Sequence, residues 1–267
     1  MNEMTARFQK LHEAGCFVIP NPWDVGSARM LARLGFPAIA TTSCGFAWTL
    51  GCRDNHVALD DALAHLRAMS AAVDVPVSAD FEGAFAIDPE GVARNIAAAA
   101  ATGIAGLSIE DSTHDSENPL FDFELAVDRV RAARSAIDGS GTGVLLMART
   151  EGFIAGRPDL AQTIRRLTAY GEAGADCLYA PGLRTLDDIR AVAGAVSPKP
   201  VNVGVGSGFT TVDELRAIGV RRISVGGALA RVAWGAFLEA AREIAEKGTF
   251  TALDRAMPFA QINGAFP

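Results

Sequence analysis

The sequence predicts a (β/α)8 barrel of the TIM type. Eight short apolar runs alternate with helical patterns from end to end, each run is apolar almost throughout, and one phrase of helix end, glycine, turn and strand recurs along the chain. Parallel strands covered by helices on their outer face read as unbroken apolar runs, because neither face meets water. In order, the predicted strands are 16–21 (CFVIPN), 38–43 (AIATTS), 75–81 (VPVSADF), 104–111 (IAGLSIED), 144–150 (VLLMART), 177–182 (CLYAPG), 199–205 (KPVNVGV) and 221–227 (RRISVGG). Between them lie Ala- and Leu-rich stretches of helical period such as DDALAHLRAMSAAV and DLAQTIRRLTAYGEAG, and an amphipathic helix precedes the first strand. Gly35, Gly103, Gly174 and Gly219 stand in the recurring phrase, where a helix C-cap calls for a left-handed residue before a tight loop into the next strand. An open doubly wound sheet is the alternative topology. Eight strands in one repeating pattern favour closure, and no linker or change of composition divides residues 1–267 into two domains.

The 267 residues suit one barrel of about 250 residues. Hydrophobic residues make up 49% of the chain, enough for a large core. The net charge of −7 and the lack of clustered Lys and Arg argue against nucleic acid. They leave room for an anionic substrate held by a local cation. The four cysteines, Cys16, Cys44, Cys52 and Cys177, have no paired spacing, so a disulfide framework or structural zinc is not expected and a reducing cytoplasm is. No run reaches the ~18 apolar residues of a membrane span, and the N-terminus lacks the apolar core of a signal peptide.

Active sites of such barrels lie at the C-terminal ends of the strands. There the sequence places Asn21-Pro22-Trp23-Asp24 after strand one, Thr42-Ser43-Cys44-Gly45 after strand two and Ser78-Ala79-Asp80-Phe81-Glu82 at strand three. Glu110-Asp111 end strand four, Arg149-Thr150-Glu151 end strand five, and strand seven carries Asn202. Carboxylates crowded at neighbouring tips repel and lose hydration unless a cation offsets both costs. Mg²⁺, or Mn²⁺ in its place, takes such oxygen donors while keeping several waters. The alternative for Asp80 and Glu110 is capping or ion pairing, with Glu110 paired to Arg149. Asp111 and Glu151 are open to the same structural explanation. The planar fork of Arg149 suits a substrate carboxylate. Ser43, Cys44 and Gly45 offer backbone N–H groups for a carboxylate or oxyanion. Cys44 has no base beside it in sequence and is better explained as a small buried residue. His12 and His65 fall in helices as surface or packing residues, while His56 and His114 lie in loops able to reach the mouth. The Gly-rich run 204–209 lacks a Walker lysine and is explained by tight turning.

These tips, with NPWDVGSARMLARLGFPAIATTS, GCRDN, YGEAGADCLY and GVRRISVGG in their order, give the chain a resemblance to the isocitrate lyase/phosphoenolpyruvate mutase superfamily over nearly its whole length. The resemblance implies a barrel whose eighth helix is exchanged between subunits, so that 228–267 would pack on a neighbour in a homodimer or homotetramer. It implies that Asp54 of GCRDN holds metal-bound water or acts as a base, and that Asp80 and Glu110 belong to the metal site. It further implies that Arg149 binds the substrate carboxylate or developing oxyanion, and that Ser43, Cys44 and Gly45 bind substrate through the backbone. The chain also departs from the family pattern. Ser78 stands where the family has an aspartate that ligates metal, which weakens the metal site unless Glu82 compensates. The Cys-Gly-His lyase loop is absent, Pro181 replaces the glutamate after strand six, and only Asn118 lies near the place of the mutase asparagine loop.

The expected function is therefore a Mg²⁺-dependent carbon–carbon lyase acting through an enolate on a small 2-oxo or 2-hydroxy di- or tricarboxylate. Two alternatives stand beside it: P–C bond chemistry on phosphonopyruvate or phosphoenolpyruvate, and a barrel that binds 2-oxo acids without catalysis.

Overall fold

The computed structural model describes residues 2–266; Met1 and Pro267, the ends of the predicted domain, lie outside the described residues. All eight predicted strands form: β1 (Phe17–Ile19), β2 (Ile39–Ala40), β3 (Val77–Asp80), β4 (Gly106–Glu110), β5 (Leu145–Arg149), β6 (Cys177–Tyr179), β7 (Val201–Gly204) and β8 (Arg222–Ser224). Every pairing is parallel, in the order β1-β8-β7-β6-β5-β4-β3-β2. The remaining seam, between β1 and β2, has no paired ladder. Ala40 N–H reaches Pro20 O across it at 3.0 Å, and Asn21 Nδ2 donates to Thr41 O at 2.9 Å. The sheet is thus a nearly closed (β/α)8 barrel.

The helices are α1 (Glu3–Glu13), α2 (Val25–Arg33), α3 (Ser43–Thr49), α4 (Leu59–Ala72), α5 (Pro89–Ala100), α6 (Phe123–Ser140), α7 (Leu160–Glu172), α8 (Leu186–Ala195), α9 (Val212–Ala217), α10 (Ala228–Lys247) and α11 (Phe259–Asn263). Their starts follow local chemistry. Asp24 and Ser27 form a capping box at α2, Asp88 caps α5 with Pro89 in its first turn, and Thr211 and Glu214 form a capping box at α9. Gly35, Gly103, Gly174 and Gly219 all take positive φ, between 85° and 107°, as the recurring phrase requires.

One shell of core packs helices on the outside of the strands, with Leu66, Met69, Ile96, Ile137, Leu167 and Ile189 facing Val77, Leu107, Leu146 and Leu178. A second, smaller cluster joins Phe8 of α1 to Phe17, Ala38, Ala40 and Ala105 near the strand starts. Phe8 comes so close that a Cβ at Gly106 would lie 2.5 Å from its ring. α1 therefore stoppers the N-terminal end of the barrel and leaves the other end open for a site. α10 is long and bare: of its 20 residues only Ala230 is buried, and Val232, Phe237 and Leu238 are exposed. No helix among the described residues is long and apolar enough to cross a membrane.

Candidate active site

β5 delivers Arg149 to the C-terminal mouth, in register with Glu110 of β4 and Tyr179 of β6. Three carboxylates surround its guanidinium. Nη1 lies 2.6 Å from Asp80 Oδ1, Nη2 3.2 Å from Glu110 Oε2, and Nε 2.9 Å from Glu151 Oε1. The structure thus brings Asp80, Glu110 and Arg149 together, with Glu151 added to the group. Burial works against the charge of Arg149, but Glu151, Glu110 and Asp80 outweigh it and hold its pKa well above the ordinary value. Burial raises the carboxyl groups of Glu110 and Glu151 above theirs, against the pull of Arg149.

Asp80 is fixed from several sides. Its Oδ2 accepts Ser43 N–H and Ser43 Oγ–H, each at 3.1 Å. Its own N–H donates to Thr41 Oγ1 at 2.9 Å, and Ser108 Oγ reaches Oδ1 at 3.4 Å. The second predicted strand is shorter than its apolar run suggests. Ser43, Cys44 and Gly45 form the first turn of α3 rather than a strand tip, because Thr42 takes the extended conformation of an N-cap (φ −136°). Thr42 makes no side-chain cap bond. Asp80 supplies that acceptor from the neighbouring strand β3, where a carboxylate is favoured by the helix terminus.

A cavity of about 220 Å³ opens beside this cluster, and Ser43, Cys44, Asp54, Asp80 and Arg149 all line it. Two predicted residues do not. Glu110 lies behind Arg149, and Gly45 is a packing glycine: a Cβ there would sit 2.7 Å from Thr42 Cγ2 and 2.8 Å from Trp23 Cβ. Asp54 is half-buried in the loop after α3, and burial, then the nearby Asp80, raises its pKa. Burial also raises the thiol pKa of Cys44, which suits a packing residue rather than a nucleophile. Of the loop histidines, His114 sits 3.7 Å from Glu110 Oε1 and His56 holds the backbone of Asp54 at 2.9 Å; neither lines the cavity. Asp111 proves structural: it accepts from Thr150, Arg166, Tyr170 and the Glu151 N–H beneath the site.

The segment after β3 is strained. Glu82, Ala84 and Phe85 have φ of 49°, 58° and 55°, a region costly for side-chain-bearing residues and concentrated at functional sites. Arg129, fully buried, clamps it by donating to Gly83 O at 2.7 Å, Ile87 O at 2.8 Å and Ala86 O. Asn95 Nδ2 donates to Ala84 O at 2.9 Å. The clamp keeps Glu82 buried near Asp80, and burial, then Asp80 and Asp54, pushes its pKa up to about 7.

The donor set fits a hard divalent cation held largely through water. Asp54, Asp80 and Glu82 are oxygen donors near one another: Asp80 is among the groups that raise the carboxyls of Asp54 and Glu82, and Arg149 opposes both shifts. Among the described residues no three His, Cys, Asp or Glu side chains converge as a cage. Ser78, in place of an acid, accepts a hydrogen bond from Arg222 instead. That pattern suits Mg²⁺, which binds one or two carboxylates and keeps its waters.

Sequence reasoning missed Asn21 as a strut, and Tyr179 and Arg222 as lining residues. Asn21 Oδ1 accepts from Val225 N–H and Gly226 N–H, both at 2.9 Å. A signal for Arg222 was present: it alternates with Ser224 inside an apolar strand, and a charge on the inward face of a barrel strand needs a polar surrounding.

A parallel barrel with an arginine ringed by carboxylates beside a small cavity defines the class: a TIM-type barrel with a charged site at the C-terminal mouth. The fold and the order of the tip motifs narrow the assignment. A family model described as phosphoenolpyruvate phosphomutase matches residues 8–245, and the chain belongs to that family, within the isocitrate lyase/phosphoenolpyruvate mutase superfamily. The chain is 33% identical to 2-methylisocitrate lyase of Escherichia coli (strain K12) over 206 residues, covering 73% of this chain and 68% of that protein. The solved structure of a Burkholderia cenocepacia J2315 protein, provisionally named a lyase/mutase, is 47% identical with a TM-score of 0.93, covering 98% of this chain and 94% of that one. Oxaloacetate acetylhydrolase, solved with its product oxalate, is 25% identical with a TM-score of 0.86, covering 98% and 93%.

Proposed function

We propose that the protein is a Mg²⁺-dependent lyase, with Mn²⁺ able to substitute, that breaks a carbon–carbon bond of a small 2-oxo or 2-hydroxy di- or tricarboxylate through an enolate. The observation that carries this reading is the convergence of Asp80, Glu110 and Glu151 on Arg149 beside a cavity that Asp54 and Ser43 also line. The names of the relatives support it, since a 2-methylisocitrate lyase and an oxaloacetate acetylhydrolase both act on small acids of this kind. The cation, when bound, supplies a Lewis acid for the adjacent oxygens of the acid.

The chain's own groups do the rest. Asp80, Asp54 and Glu82 would hold the cation, the first directly and the others through water. Two of the five N–H groups of Arg149 donate to carboxylates, those of Asp80 and Glu151, and Glu110 adds a third ion pair. The arginine's charge is locked on and stands against the negative charge that develops as the bond breaks. Glu110 and Glu151 orient that guanidinium from behind. Asp54, with its carboxyl pKa raised, is the base for a substrate hydroxyl proton. Turnover of an oxaloacetate, malate and isocitrate panel should vanish with EDTA and return with Mg²⁺. In Arg149→Ala it should fall by about 10²-fold or more. Unchanged rates in both experiments would sink the mechanism.

Phosphonopyruvate belongs in the same panel, because P–C chemistry is the competing activity. That reaction needs further cations at the phosphoryl end; Arg53 is exposed and outside the cavity lining, and Arg222 is the other arginine of that lining, so the panel itself separates the two activities. A catalytically silent binder would show a thermal shift with these acids and no product. The assembly belongs to the proposal as well. The bare apolar face of α10, continued by Phe250, Met257 and Phe259, is covered by a second copy of this chain in a homodimer or homotetramer.

A further inference from the structure

The cavity beside the carboxylate-ringed Arg149 is lined by a second guanidinium. Arg222 of β8 is 3% exposed and lines the same cavity. Its Nη2 donates to Ser78 Oγ at 3.3 Å. Its Nε is buried with no hydrogen-bond partner. Among the described residues, no carboxylate lies within ion-pairing distance of it, whereas Arg149 has three. The Phe8 ring is 5.7 Å away, at the outer edge of useful cation–π contact, and offers no hydrogen-bond acceptor. Burial lowers the pKa of Arg222 only to about 10, so the group stays charged at neutral pH. Asn202, its register partner on β7, donates to Ser224 Oγ at 3.0 Å and leaves its own Oδ1 buried and unpartnered.

A buried charge without a partner is strongly unfavourable, and proteins pair such charges or leave them to meet a ligand. The cavity at about 220 Å³ is below the roughly 300–1,000 Å³ of drug-sized pockets and suits a small acid. The guanidinium of Arg222 reaches Ser78 of β3, two residues before Asp80, so it shares one small cavity with Ser43, Asp80 and Arg149.

We propose that Arg222 is the subsite for the second carboxylate of the substrate, so that the site selects dicarboxylates over monocarboxylates with the same 2-oxo or 2-hydroxy end. This rests on the reading of the cavity as a site for such acids. It assigns the discriminating charge to the unpaired arginine, not to Arg149. The serine at position 78 then has a purpose: an aspartate there would neutralise Arg222 and remove the anion site.

Malate and lactate share a 2-hydroxy acid end and differ in the second carboxylate. Calorimetry with the full-length protein and MgCl₂ should show wild type binding malate about 10–100-fold more tightly than lactate, the range of a charge-assisted pair. In Arg222→Met the preference should collapse to near unity, with lactate affinity unchanged, and Arg222→Lys should recover part of it. Ser78→Asp, which supplies a counter-ion without removing the arginine, should also abolish the preference, and it serves if Arg222→Met does not fold. Retention of the malate preference in both Arg222→Met and Ser78→Asp, or an equal loss for both acids, would overturn the subsite while leaving the proposed function standing. If wild type binds neither acid, the substrate class fails and the subsite with it.

Discussion

Replacing Asp111 by alanine should cost the fold far more than an ordinary substitution. Asp111 is 2% exposed, and both of its oxygens are engaged. Oδ2 accepts Tyr170 Oη–H at 2.7 Å, Thr150 Oγ–H at 2.8 Å and Arg166 Nη1 at 3.1 Å, while Oδ1 accepts Glu151 N–H at 2.9 Å. Arg166 and Tyr170 are themselves buried. Removing one partner of a buried ion pair costs about 3–5 kcal/mol, because the other charge stays behind uncompensated. Each orphaned neutral donor adds about 1–3 kcal/mol before relaxation. Partial rehydration of the gap offsets some of this, so the loss should be at least about 4 kcal/mol against a typical total of 5–15. Asp111→Asn keeps an acceptor oxygen and loses the charge, and should fall near half that figure. The double variant Asp111→Leu with Arg166→Met removes both charges and should be more stable than Asp111→Ala alone. Urea unfolding followed by circular dichroism gives all of these values from the midpoints at constant slope. A loss below about 1 kcal/mol for Asp111→Ala, or a double variant worse than the single, would refute the picture of a buried hub.

Two further outcomes follow from features of the fold. His12 and His65 are both held to a pKa of about 4 by burial, below the ordinary 6.5. Their folded pKa is depressed, so the unfolded chain binds more protons between those limits; stability is full above about pH 6.5 and is lost as pH falls toward 4. The buried carboxyls of Asp54, Glu82, Glu110 and Glu151, raised above their ordinary values, act in the opposite direction, so the readout is a difference: relative to a variant with both histidines replaced by phenylalanine, which keeps those carboxyls, wild type should lose urea midpoint as pH falls from 6.5 toward 4. On α10, Phe237→Glu combined with Val232→Glu should convert the assembly to monomers in light scattering, since Phe237 is 60% and Val232 70% exposed on the single chain. An unchanged mass would show that this face is not the interface.

The barrel was legible because its signals are local and repeated. Each strand is an apolar run bounded by a turn, and the glycine before it is the residue that the left-handed cap needs, as at Gly103 and Gly174. The C-terminal segment 228–267 was placed through the family resemblance and not by a local signal; its main helix runs over Ala228–Lys247. Strand two was the exception. Thr41, Thr42 and Ser43 read as β-branched and small, but they are the N-cap region of α3, and helix starts of seven residues leave too little period to detect. Asp80, Glu110 and Arg149 were visible because a charge at the end of an apolar strand has few explanations. Arg222 was not, because its meaning depends on which carboxylates fail to reach it, and that is a property of packing. The structural part of Asp111 was likewise hidden: its partners Arg166 and Tyr170 lie 55 and 59 residues away.

The incomplete seam of the barrel has a consequence of its own. A single amide side chain, that of Asn21, ties the exit of β1 to Thr41 on one side and to Val225 and Gly226 on the other. The segment Val225–Gly227 launches α10, and Gly227 lies so near Cys44 that a Cβ there would fall 2.6 Å from its sulfur. The helix proposed to meet a second copy of the chain therefore begins against the turn that holds Asp80. The base of α10 and the cavity thus share a wall: Cys44, Gly226 and Gly227 all line it, and one asparagine and one thiol contact join the two.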